Sequence, residues 1–167
     1  MPTIRPATAA DLPRLHTVVE RAYRGDSARR GWTHEADMLF DARTDLDTLV
    51  TLIDGDSRIL IALDGDTILG CVNIASRGNG LAYLGLLCVD PELQARGIGK
   101  QLIAAAESTA RETFAATRVE MTVIDRRIEL IAWYERHGYA RTGETRPFPV
   151  AVDPPLTMAV LARPLPR

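Results

Sequence analysis

The sequence has little of what marks the specialised protein classes. Among 167 residues there are two cysteines, three histidines and only 5% aromatic residues. Both cysteines, Cys71 and Cys88, lie in strand-like apolar surroundings, so they are interpreted as small buried thiols rather than as a disulfide or a nucleophile. The histidines lie far from one another and from both cysteines, which gives no metal-ligand spacing, and no metal is expected.

Long apolar runs and excess charge are also lacking. No run approaches the ~20 apolar residues of a membrane helix, so no membrane partner is expected. The formal net charge of -2 provides no basic field for nucleic acid. Residues 1–15 (MPTIRPATAADLPRL) have no hydrophobic signal core, so we expect no export and a cytoplasmic location.

The remaining composition is that of an ordinary globular domain. Hydrophobic residues make up 46% of the chain and charged residues 25%. There is no repeat, linker or low-complexity run that would divide the chain. We therefore expect a single domain over residues 1–167, with enough apolar side chains for a sizeable core.

The hydrophobic periodicity predicts the element order β-α-α-βββ-α-β-α-β-β. Capping boxes are expected at Thr8 with Asp11 and at Thr44 with Asp47, and residues 24–44 between these helices are expected to be mostly irregular. Turn chemistry at residues 64–66 and 77–80 makes the three central strands an antiparallel meander. The predicted fold class is α/β (α+β mixed), with a central mixed, mostly antiparallel twisted sheet of about six to seven strands flanked by about four helices.

A glycine turn joins the third meander strand to a long apolar helix. Residues 94–99 read QARGIG, and Lys100 follows. A Walker A loop is excluded because Gln94 holds its first glycine position and Gln101 holds its Ser/Thr position. A dinucleotide fingerprint is excluded because Leu102 stands where its third glycine would be. Glycines at a helix start nevertheless favour an anion, most often a phosphate.

The pattern that does fit is Gln-x-x-Gly-x-Gly, and it resembles the pyrophosphate loop of the GNAT (GCN5-related N-acetyltransferase) superfamily. Residues 129–144 (ELIAWYERHGYARTGE) are similar to the second superfamily signature, a helix that carries a Tyr followed by Gly-Tyr and a strand. The predicted element order is the GNAT order across nearly the whole chain. The strings at 23–37, 120–139 and 142–149 also resemble a recurrent bacterial subgroup of small acetyltransferases.

The resemblance implies acetyl-CoA as the acyl-donor cosubstrate. Its pyrophosphate would be held at the glycine turn, and its pantetheine arm would pair with the third meander strand. Seven residues before the helix Tyr, the family often has an Asn that contacts this arm; here the position is Arg127, which could serve phosphate instead. The expected cofactor-binding residues are Leu87, Cys88, Val89, Gln94, Ala95, Arg96, Gly97, Ile98, Gly99, Lys100 and Arg127.

The resemblance also implies how the acetyl group would be transferred. Tyr134 matches the general acid that protonates the leaving thiolate, because a phenol with a pKa of about 10 is protonated at neutral pH. A backbone amide within residues 86–89 would polarise the thioester carbonyl, and Gly85 is a plausible bulge position in that strand. For the base that takes the amine proton, no spacing distinguishes four carboxylates from one another: Glu35, Asp37, Glu120 and Glu144.

The acceptor would be a primary amine of a small molecule or a peptide. In the superfamily its pocket is lined by the segment before the meander and by the loop before the last strand, which here gives Trp32, Glu35 and Phe148. A non-catalytic acyl-CoA-binding or sensor module of the same fold is the alternative, and acylation of a hydroxyl or use of a longer acyl-CoA is a third reading. Dimers are common in the superfamily, so a homodimer is expected by analogy.

Overall fold

The computed structural model describes residues 2–23, 45–90, 97–148 and 155–166. Within these ranges seven strands and four α-helices follow one another along the chain. In chain order they are β1 (Thr3–Pro6), α1 (Leu12–Tyr23), α2 (Leu46–Leu52), β2 (Ser57–Asp64), β3 (Thr67–Gly78), β4 (Leu81–Val89), α3 (Ile98–Phe114), β5 (Arg118–Ile124), α4 (Ile128–Arg136), β6 (Ala140–Pro147) and β7 (Thr157–Pro164). The predicted element order is confirmed.

The seven strands form one sheet in the order β1-β2-β3-β4-β5-β7-β6. All neighbours are antiparallel except β4 and β5, which are parallel and are joined by the crossover helix α3. A parallel pair needs such a crossover, whereas antiparallel neighbours can be joined by tight turns. The mixed, mostly antiparallel sheet expected from the sequence is therefore confirmed.

Each face of the sheet is covered by helices and has its own buried cluster. The first cluster joins the sheet to α3 and α4, with Ile74, Leu84, Leu102 and Ile131 among its members. The second joins the other face to α1 and α2, and Leu15 belongs to it. Because both faces are buried, an opening through the sheet would connect two separate layers.

Two helix starts were predicted as capping boxes. At the first, the Asp11 carboxylate accepts hydrogen bonds from the Thr8 amide at 2.8 Å and from the Thr8 hydroxyl at 3.1 Å. A 3₁₀ turn, Ala9–Asp11, precedes α1 there. The second prediction is wrong by one residue, because the N-cap of α2 is Asp45, whose carboxylate accepts from the Thr48 amide at 2.8 Å.

Candidate active site

A bulge interrupts β4 in the half of the strand that leads to the glycine turn. Cys71 of β3 faces Cys88, but Asn73 faces Gly85, so β4 has one residue more than β3 over this stretch. The extra residue is accommodated at Leu86, whose φ of 52° is left-handed and unfavourable for a leucine. The bulge predicted at Gly85 therefore lies one residue further on.

The bulge changes which face of the sheet the side chains of β4 reach. Before it, Ala82 and Leu84 pack in the layer of α3 and α4. After it, Leu86 and Cys88 pack in the layer of α1 and α2. A regular strand would keep all four side chains on one face. The sequence alternation alone could not reveal this change, because the buried positions still recur every second residue.

β4 and β5 also separate at this point. They pair only at Leu81 with Arg118, Ala82 with Val119, and Tyr83 with Glu120. The rest of both strands is described, and no further β4–β5 pair forms there. Beyond Tyr83, β4 is thus not paired with β5.

A cavity of about 300 Å³ occupies the gap between the separated strands. Its wall includes Leu84 and Met121 from the α3/α4 layer. It also includes Leu86 from the α1/α2 layer, together with Thr48 and Leu52 of α2. The cavity therefore reaches both layers, so that two molecules could approach one point from opposite faces of the sheet.

Tyr134 is a wall residue of this cavity and is buried in the α3/α4 layer. Its ring lies edge-on to the Trp133 ring, with centroids 5.2 Å apart, and to the Tyr139 ring, with centroids 6.2 Å apart. The period of α4 turns Ile131 and Tyr134 to the same buried side. The predicted general acid is thus held rigidly beside the gap between β4 and β5.

A neighbouring buried group was not found from the sequence. The Tyr139 hydroxyl donates to the Glu107 carboxylate at 2.8 Å, and Arg163 Nη1 lies 3.1 Å from both oxygens of that carboxylate. Burial, and next the Glu107 carboxylate, raise the pKa of Tyr139 far above its usual value. Glu107 and Arg163 are 56 residues apart in the chain, and no local signal links them.

The described part of the glycine turn lies against the end of β4 and against α4. Gly97 is the N-cap of α3, with a left-handed φ of 79°. A Cβ at Gly99 would lie 3.4 Å from the Trp133 ring and 3.9 Å from Val89. Lys100 is exposed, whereas the Ile98 side chain is buried in the core, which leaves only its backbone for a ligand.

The other predicted cofactor residues are placed differently from one another. Leu87 and Arg127 line the cavity. The Cys88 side chain instead points into the α1/α2 layer, where its sulfur lies 3.5 Å from that of Cys71 without forming a disulfide. Gln94, Ala95 and Arg96 are outside the described residues.

The predicted acceptor and base residues are only partly described. Trp32, Glu35 and Asp37 lie outside the described ranges. Phe148 follows β6, where its amide donates to the Leu156 carbonyl at 3.2 Å, and it is not part of the cavity wall. Glu120 and Glu144 both bind Arg146, at 3.1 and 2.7 Å. Neither of these two carboxylates lines the cavity.

Five polar side chains of the cavity wall were missed by the sequence analysis: Thr48, Asn73, Arg77, Tyr83 and Thr122. The Tyr83 hydroxyl lies 2.6 Å from the Thr122 hydroxyl and so joins β4 to β5 at the point where they separate. The only sequence signal was that Asn73 and Arg77 are four residues apart in one strand and so share a face. Within the described ranges no group of three or more His, Cys, Asp or Glu could hold a metal ion.

This fold is shared by acetyltransferases. The ribosomal-protein-S18-alanine N-acetyltransferase of Escherichia coli superposes with a TM-score of 0.77 at 17% identity, over 100% of this chain and 96% of the other. The Salmonella typhimurium protein YncA, whose structure includes its cofactor acetyl-CoA, superposes with a TM-score of 0.72 at 16% identity, over 100% and 95%.

Sequence comparison agrees with the fold. The family profile described as "Acetyltransferase (GNAT) family" matches residues 14–139. The S-(2-succino)cysteine N-acetyltransferase of Bacillus subtilis is 36% identical over 66 residues, which cover 39% of this chain and 40% of that enzyme. The chain belongs to the GNAT acetyltransferase family, and the resemblance noted in the sequence is confirmed. Among the described residues, no helix has the length and hydrophobicity to cross a membrane.

Proposed function

We propose that the chain is an acetyl-CoA-dependent N-acetyltransferase, a single domain that moves acetyl to a primary amine of a small molecule or a peptide. The observation that carries this proposal is the gap between β4 and β5, with its bulge and with Tyr134 in its wall. The names of the E. coli and B. subtilis proteins, both N-acetyltransferases, support the reaction type. Action in the cytoplasm, as expected from the sequence, is part of this proposal.

The proposed cofactor site follows the glycine turn and the part of β4 that does not pair with β5. The backbone of residues 94–100 would hold the pyrophosphate, helped by the dipole of the 17-residue helix α3. Residues 87–89 would pair with the pantetheine arm, because they have no partner in β5. The cavity wall at Arg127 would face the same arm. This fit depends on backbone groups and needs no metal.

The chemistry proposed is direct attack within a ternary complex. The amine nitrogen forms a bond to the acetyl carbon while the carbon–sulfur bond breaks. Tyr134 gives its proton to the leaving sulfur, and a base or a water chain takes the proton that the amine loses. A backbone amide near the bulge stabilises the charge that develops on the carbonyl oxygen. Tyr134 also argues against the non-catalytic alternative, since a binding module would need no acid at this position.

The acceptor would enter from the α1/α2 face, opposite the layer of α3 and α4. The cavity reaches Thr48 and Leu52 of α2 on that face. The segment that contains Trp32 and Glu35 directly precedes α2 in the chain, so these two residues remain the predicted acceptor contacts.

The cofactor site can be tested with two glycines that differ only in location. Gly97 and Gly143 both have left-handed φ, 79° and 88°, and a Cβ at either would meet nothing within 4 Å. Replacement by glutamate should therefore cost similar backbone strain in both, about 1–2 kcal/mol. Calorimetry should show acetyl-CoA binding lost in Gly97→Glu and retained in Gly143→Glu, which lies on the edge strand β6. Equal binding by both variants would refute the proposed pyrophosphate site.

A further inference from the structure

The described wall of the cavity has cations and no anions. Two arginines, Arg77 and Arg127, line it, and none of the described wall residues is an aspartate or a glutamate. An amine acceptor that is only a cation would be repelled by such a wall. The wall charge therefore bears on which amines can enter.

Tyr83 alternates in β4 with Ala82 and Leu84 of the α3/α4 layer, so its ring, and Arg77 over it, lie on the α1/α2 side, where the acceptor would enter. The Arg77 guanidinium carbon lies 4.6 Å from the centroid of the Tyr83 ring, a distance at which the ring attracts and orients the cation. The Tyr83 ring is itself tied to β5 through Thr122. No carboxylate of the described residues is within ion-pair distance of Arg77. Arg77 thus presents a positioned, exposed cation at the cavity.

Asn73 lies on the same face of β3, nearer the bulge. Its amide nitrogen donates to Ser57 Oγ and to the Arg58 carbonyl oxygen, both at 2.9 Å. A carbonyl oxygen can only accept, so these contacts fix which end of the amide is nitrogen. Both N–H groups are used, and Asn73 Oδ1 is left as an acceptor at the cavity wall.

The Tyr83 ring forms the floor between these two side chains, because it lies beneath the Arg77 guanidinium and 3.3 Å from the position of a Cβ at Gly85. Asn73 pairs with Gly85, which has no side chain, and the intervening residue on this face of β3 is Ala75. Four residues of a strand span about 13 Å, and the long Arg77 side chain shortens the gap between the two polar groups. The arrangement offers an acceptor atom beside the bulge and a cation at the outer end.

We propose that the acceptor is an amine that also carries a carboxylate. Arg77 would bind the carboxylate, and Asn73 Oδ1 would accept a hydrogen bond from the amine as it approaches the acetyl carbon. This inference rests on the proposed function and names the acceptor class of the same site. It makes Arg77 a specificity-determining residue and assigns it no part in cofactor binding.

The test compares matched amines in a thiol-release assay. Each pair is an amino acid and its carboxamide, and the amino acids are phenylalanine, leucine, methionine, β-alanine and γ-aminobutyrate. Spermidine is tested beside these pairs as a purely cationic amine. The wild type should favour the acids. In Arg77→Gln, kcat/KM for the preferred acid should fall about 10–100-fold through KM, as for the loss of a hydrogen bond to a charged group, while its carboxamide changes little.

Arg118→Gln is the control, because Arg118 is also exposed and carries the same charge but is outside the cavity wall. It should keep the wild-type preference for acids. Calorimetry should give the same acetyl-CoA affinity for the wild type and both variants. A wild type that does not bind acetyl-CoA would contradict the proposed function and not this inference alone. If acetyl-CoA binds but the carboxamides or spermidine are preferred, or no acid is acetylated, the inference is wrong. It is also wrong if Arg77→Gln leaves the preference unchanged.

Discussion

Two neighbouring tyrosines should differ in what is lost when only the hydroxyl group is removed: catalytic rate for one and stability for the other. Tyr134 lines the cavity, and Tyr139 lies outside its wall, although their rings are only 6.2 Å apart. Replacement by phenylalanine keeps the ring, so the edge-on contacts with Trp133 and between the two rings are retained. Any difference between the variants then reports the hydroxyl group alone.

For Tyr134→Phe we expect a loss of rate. Removing a positioned general acid lowers kcat by about 10²–10⁴, equivalent to about 2.7–5.4 kcal/mol of transition-state stabilisation. The affinity for acetyl-CoA and the thermal midpoint should change little, because the core packing is retained. Steady-state kinetics with thiol detection measures the first quantity, and calorimetry and thermal unfolding measure the other two.

For Tyr139→Phe we expect a loss of stability. Its hydroxyl donates to the buried Glu107 carboxylate at 2.8 Å, and Arg163 is the other partner of that carboxylate. Loss of a hydrogen bond to a buried charge should cost about 1.5–3 kcal/mol, which lowers the midpoint by about 3–12 °C in a domain of this size. The rate should stay near that of the wild type. A Tyr134→Phe enzyme with full activity, or a Tyr139→Phe enzyme that is stable but inactive, would refute this assignment of roles.

Two further predictions concern stability. A Cβ at Gly70 would lie 2.5 Å from the Cys88 carbonyl oxygen, so Gly70→Ala must separate β3 from β4. The free energy of unfolding should fall by about 1–3 kcal/mol, as is typical of overpacking, and thermal unfolding should show a lowered midpoint. A midpoint equal to that of the wild type would contradict this. The hydrogen bonds from Arg5 lower the pKa of Asp11 below the 3.8 of an unperturbed carboxyl, so this pair stabilises the fold above that pH and less as the pH falls through and below it. Urea unfolding should therefore show Asp11→Asn well below the wild type at neutral pH, with the difference shrinking at about pH 3, and a constant difference would exclude the ionised pair.

The local elements of this fold could be predicted from the sequence because their signals are local. Periodicity, caps and turn residues placed the strands and α-helices of the described residues, and the glycine turn with its helix identified the family. The bulge was placed one residue early, because glycine is the expected residue at a left-handed φ and Leu86 adopts it instead. The packing around Leu86 holds its backbone in this conformation, and such packing cannot be read from a single sequence.

The polar lining of the cavity depends on long-range pairing and could not be predicted. Asn73 and Thr122 belong to strands β3 and β5, which are separated in the sheet by β4. Their approach to one cavity follows from the register of β3 with β4 and from the separation of β4 from β5. Neither the register nor the separation can be read from the local sequence pattern, so Arg77 was interpreted only as a residue of a turn.

The short β4–β5 pairing has a consequence for how the protein should behave without its ligand. The ladder between the two halves of the sheet, β1–β4 and β5–β7, consists of three residue pairs at one end. Amide hydrogens along the separated parts of β4 and β5 should then exchange with solvent faster than those within the paired β2 and β3. A ligand that fills the gap would slow this exchange and stabilise the native state, by about 2.7 kcal/mol at a concentration 100 times its Kd. The heat resistance of this protein is therefore expected to rise with the acetyl-CoA concentration, so that its lifetime would follow the supply of its own cosubstrate.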